Sequence, residues 1–118
     1  MRYVDGFVIP IPQKNIKSYR ALARKAGKVW MEHGALNYCE CVGDDLAPAG
    51  IMPIAKHLKL KRGETVVFSW ISYKSRTHRD RVNAKVMKDA RLAAMCPNPM
   101  PFDIKRMIYA GFKTLVEY

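Results

Sequence analysis

No apolar stretch of this chain runs beyond a handful of residues, which excludes a membrane-spanning helix, and the opening MRYVDG lacks both segments of a secretory leader. The expectation is a protein that begins at Met1 and stays in the cytoplasm, with no membrane partner. Cysteine is scarce and odd in number: Cys39, Cys41 and Cys96 exclude a disulfide-built scaffold and fit a reducing compartment. Cys39 and Cys41 form C-x-C on a predicted strand, where residues two apart sit about 6.5–7 Å from each other, an awkward span for a disulfide. Two thiols also fall short of the four ligands that zinc wants, and no His or Cys stands at a supporting spacing, so neither metal nor cofactor is expected. Low-complexity segments are absent too, and 118 residues make a single domain, 1–118, large enough to bury a core without staples.

What the chain does have is apolar surface in excess. The strand-like runs Arg2 to Ile11, Thr65 to Tyr73 and Arg106 to Val116 lack the clean polar alternation of a sheet with one face in water, so something must cover both sides. Between them lie two basic amphipathic helices. The first carries its apolar positions at Ile16, Tyr19, Leu22, Ala23, Ala26, Val29 and Trp30, with Gly34 as its stop. The second opens on the T-x-x-D signal of Thr77 and Asp80, and turns His78, Val82, Val86 and Met87 inward, running on toward Leu92 and Met95. With Ala35 to Val42 as a further strand, the order is βαββαβ. This is the ferredoxin-like α+β arrangement: a four-stranded antiparallel sheet with two helices on one face. The helices cover that face, and the other needs a second sheet, a partner chain or a ligand.

Two connections exceed the minimum. Gly43 to Glu64 is too long for a plain loop, and Ile51 to Leu60 reads as a short helix or edge element able to act as a flap. Cys96 to Phe102 carries prolines at 97, 99 and 101 and reads as a stiff linker presenting Met100 and Phe102 at the lip of the sheet. Basic residues outnumber acidic ones 21 to 10, leaving a net charge of +11 spread along the polar faces of both helices. That distribution favours a solvated surface over attraction of an anionic partner, whether nucleic acid or an acidic small molecule, because the charges follow the helical polar faces and do not cluster beside exposed aromatics.

The segments YVDGF (Tyr3 to Phe7), KAGKVWMEHGAL (Lys25 to Leu36), ECVGDD (Glu40 to Asp45), VVFSWI (Val66 to Ile71), HRDRVNAKVM (His78 to Met87) and MPFDIKRMIYAGF (Met100 to Phe112) together resemble the bacterial YbaA-like family. The resemblance spans nearly the whole chain apart from about Ala47 to Leu60. It implies a dimeric α+β barrel, two ferredoxin-like sheets packed face to face about a two-fold axis, and no assigned activity. Cys39 stands where the family pattern has arginine and Ala110 where it has glycine.

Six residues are candidates for a ligand site: Asp5, Trp70, His78, Asp103, Arg106 and Tyr109. Asp5 leads them, because a carboxylate between Tyr3 and Phe7 shares their face and needs a cation or donors, for which Arg106 on the fourth strand is the expected partner. The bland alternative is a structural ion pair. His78-Arg79-Asp80 spells the HRD of the kinase catalytic loop, but Asn83 follows too closely and no glycine-rich phosphate loop precedes it, so HRD reads as the first turn of a helix. His33 reads as a cap for the first helix. Three functions stand open: a homodimer that binds or converts a hydrophobic or acidic small molecule in the barrel cavity, an RNA-binding protein, and a structural dimer without ligand. VVFSWISY lacks the start of the RNP1 pattern, which counts against RNA. The uncovered sheet face is expected to carry Tyr3, Asp5 and Phe7 together with Phe68 and Trp70, matched against the same face of a second subunit.

Overall fold

A computed structural model describes residues 2–118. Four strands, β1 (Tyr3–Pro12), β2 (Asn37–Val42), β3 (Glu64–Tyr73) and β4 (Ile108–Lys113), form one antiparallel sheet in the order β2-β3-β1-β4. The helices α1 (Ile16–Glu32), α2 (Ile54–His57), α3 (Arg76–Met87) and α4 (Leu92–Met95) complete the expected βαββαβ order. None of them is long and apolar enough to cross a membrane.

Local chemistry fixes the ends. Pro12 leads into a 3-10 turn, Gln13–Asn15, and then α1. Gly34, at φ +113°, closes α1: its N–H donates to the Met31 carbonyl and that of Ala35 to Trp30, so two helix-end carbonyls are satisfied around a backbone position that favours glycine. The start of α3 differs from the T-x-x-D expectation. Ser75 is the cap, its hydroxyl accepting from the His78 N–H, while Asp80 pairs with Arg79. Val82, Val86 and Met95 are buried as expected, but Met87 is exposed where α3 ends. The segment before β3 does carry a short helix, α2, as read.

The core lies between the sheet and the α1/α3/α4 layer. Ile9, Ile11 and Val67 pack with Tyr19 and Ala23 of α1, while Ile71 and Tyr73 pack with Val29, Val82, Val86 and Met95. Odd-numbered positions of β1 and β3 therefore face the helices. The register Asp5↔Ile71 and Gly6↔Trp70 then corrects the expected face: Tyr3, Asp5 and Phe7 point into the helix layer, and Phe68 and Trp70 point the other way.

Candidate functional site

Asp5 is 1% exposed beneath α3. Its partner is Arg79, whose Nη1 donates to Asp5 Oδ1 at 2.6 Å and to the Tyr109 hydroxyl at 2.8 Å, while Nε reaches Asp80 at 2.8 Å. The guanidinium also lies 5.0 Å from the centre of the Tyr3 ring. Tyr3 packs close over Gly111, where a Cβ would stand 2.9 Å from the ring. Burial pushes the Asp5 carboxyl up, against the pull of Arg79 and the flanking Tyr109 and Asn83. Arg79 rises in its turn: burial opposes its charge, but Asp80 and Asp5 outweigh it. Asn83 extends the cluster, accepting from Trp30 Nε1 at 3.1 Å and from the Tyr73 hydroxyl at 3.4 Å.

The expected Asp5–Arg106 pair is absent, because Arg106 lies in a 3-10 turn, Ile104–Arg106, before β4 begins at the Val8 end of β1. Arg106 instead makes a two-pronged pair with Glu64, at 2.6 and 2.9 Å, and holds that carboxyl below its ordinary 4.5. A folded-state pKa below the unfolded one contributes stability that is full above about pH 4.5 and fades as pH falls through the lower folded value. Glu64→Gln is thus expected to cost about 1.5–3 kcal/mol at pH 6 and far less at pH 3, as read by urea unfolding.

The remaining candidates scatter. The His78 ring accepts from the Lys74 N–H at 3.0 Å and stands edge-on to Tyr73; burial, with Lys74, Arg81 and Lys85 nearby, draws its pKa down. Asp103 caps the 3-10 turn through the Lys105 N–H. Trp70 donates to Asn37 on the far face of the sheet. Of the six, Asp103 and Arg106 share the 3-10 turn, the Arg106 N–H donating to the Asp103 carbonyl at 3.0 Å, and Asp5 and Tyr109 come together through Arg79, passed over in sequence as part of a helix turn.

That far face is bare. Phe68 is 51% and Phe112 58% exposed, with Trp70 5.6 Å from Phe68, Phe112 lying over Gly6, and Ile108 half exposed. Cys39 and Cys41 share this face, their thiols 3.8 Å apart and free, closer than the strand spacing alone gives because the side chains lean together.

A second polar cluster was missed in sequence. Tyr19 of α1 and Tyr38 of β2 each donate to one oxygen of Glu40, both at 2.7 Å. Burial, reinforced by Glu40, pushes both phenols upward, so they stay protonated and act as donors. This bridge, with Ala23, lies in the shared wall of two cavities. An outer groove of about 440 Å³ runs between α1 and β2, and an inner chamber of about 190 Å³ sits under the sheet beside Phe7, Trp30 and Met95. The signal was available: alternation puts Tyr38 and Glu40 on one side of β2, a carboxylate facing a helix, the same oddity that singled out Asp5. Gly27 is part of the construction, since a Cβ there would meet the Tyr38 ring at 2.8 Å. Gly27→Ala is expected to destabilise by about 1–2 kcal/mol despite its better helix propensity, because the ring must shift off Glu40; thermal melts would show it.

Residues 2–104 match the family model described as a protein of unknown function, DUF1428. The chain belongs to that family. The chain is also similar to the uncharacterized protein YbaA of Escherichia coli K12, 41% identical over 117 residues and 99% of both chains, and to that of Shigella flexneri, equally similar. The resemblance read from the sequence is thereby borne out. Among solved structures, a dimeric ferredoxin-like protein from an uncultured marine organism matches the whole of both chains with a TM-score of 0.63 at 11% identity. That likeness shows the fold, and the DUF1428 family supplies no activity.

Proposed function

We propose that the protein works as a homodimer, closed sheet to sheet across the bare face, and that each subunit binds a small molecule on its helix side. The exposed patch of Phe68, Ile108 and Phe112 beside Trp70 supports the first part, because contiguous apolar surface on one side of a sheet costs free energy in water and marks an interface. The dimeric state named for the ferredoxin-like relative accords with it. The adjoining cavities on either side of the Tyr19–Glu40–Tyr38 bridge support the second, and move the ligand from the barrel interior to the opposite side of the sheet.

Light scattering tests the dimer, which predicts the mass of two subunits at micromolar concentration; a single-subunit mass overturns it. RNA binding is the competing use of Phe68 and Trp70, since stacked bases would occupy the same face. The basic residues of α1 and α3 lie in the helix layer, away from these aromatics, which disfavours it. A one-subunit mass together with salt-sensitive RNA retention would replace the dimer by that reading.

A further inference from the structure

The geometry points to an amphipathic organic anion, an apolar body carrying one carboxylate-like head, as the ligand of the α1/β2 groove; this rests on the binding reading above and names its chemical class. The floor of the groove is apolar: Ile16, Ala23 and Val67 line it with the ring of Tyr38. Its rim is of one sign. Arg20, Arg24 and Lys28 stand four residues apart, so they form a single stripe along α1, and all three are exposed and line the groove. None of them has an ion-pair partner among the described residues.

Glu40 is the one acid lining the groove, and both its oxygens are occupied by tyrosine hydroxyls, which turns it toward the inner wall; Glu32, near Lys28, lies outside the lining and pairs with Arg91, so no acid stands on the rim itself. The two signs of charge also set a direction. An anionic head is drawn to the Arg20–Arg24–Lys28 rim and repelled from Glu40, so the head stays outside and the apolar body lies inward. The volume, about 440 Å³, is within the range of small-molecule clefts. A cationic or purely polar ligand meets the wrong rim or the wrong floor.

The test compares decanoate with the uncharged decanamide, both kept below the concentration at which they aggregate, by calorimetry and by amide NMR shifts on the full chain. Decanoate is expected to bind once per chain, at least tenfold more tightly than decanamide, and to shift residues of α1 and β2 while leaving Phe68 and Phe112 unmoved. The triple variant Arg20→Gln, Arg24→Gln, Lys28→Gln should lose that tenfold preference with an unchanged melting temperature, because all three side chains are exposed. Equal affinity for the two probes, or full decanoate preference in the triple variant, overturns the anion class and leaves the binding reading standing. Absence of heat and of shifts with both probes removes the class and the binding reading together.

Discussion

Arg79→Met is expected to lower stability by about 3–5 kcal/mol, because it leaves the Asp5 carboxylate buried without its cation. For a domain of this size that is a fall of roughly 10–20 °C in melting temperature. The replacement also removes the cation over the Tyr3 ring and the donor to Tyr109. Asp5→Asn should cost less, since Arg79 keeps Asp80 and remains partly solvated. The pH dependence identifies the cause. Burial already raises the Asp5 pKa above 3.8, and a raised carboxyl contributes stability that is full below the unfolded value and is lost as pH rises through the folded one. Without Arg79 the folded value rises further, so the variant's deficit is largest at pH 7 and narrows as the medium is acidified. Thermal melts at pH 7 and pH 5 measure it, and a deficit independent of pH would assign the loss to packing.

The second large effect is on assembly. Phe68→Glu combined with Phe112→Glu places carboxylates in the middle of the bare face and is expected to convert the dimer to single subunits with their fold intact. Each ring is about half exposed in the isolated chain, so burying the remainder contributes roughly 1 kcal/mol per ring. A two-fold axis doubles every substitution, giving about 4 kcal/mol before any cost of desolvating charge, which weakens association about a thousandfold. Sedimentation or light scattering across a dilution series reads the shift, and circular dichroism confirms the retained fold. A double variant that keeps the two-subunit mass would move the interface elsewhere.

The architecture was legible in the sequence because each element carried its own local signal: the α1 stripe ending at Gly34, the apolar strands, the helix after β3. Faces within a strand were legible as well, since Tyr3, Asp5 and Phe7 do share one, and so do Phe68 and Trp70. Which faces coincide was not, because alternation is periodic in two and only the pairing Gly6↔Trp70 decides between the parities. That one-residue ambiguity put Asp5 in the interface instead of under α3. The partner of Asp5 was missed for a related reason. A three-residue turn delays β4 until Ile108, which removes Arg106 from the strand, and the helix after β3 brings Arg79 across instead. The Tyr19–Glu40–Tyr38 bridge joins residues of two elements whose contact depends on how closely α1 approaches β2, and only Gly27 hinted at that distance.

The strand order has a consequence for how the molecule is made. β1 is interior to the sheet, and one of its two neighbours is β4, the strand farthest from it in the sequence, with Tyr3 opposite Lys113. All the residues between the two strands must be synthesised before β1 can gain that neighbour. Until then that edge of β1 stands open in the nascent polypeptide, which makes the long-range pairing of β1 with β4 the expected slow step of folding.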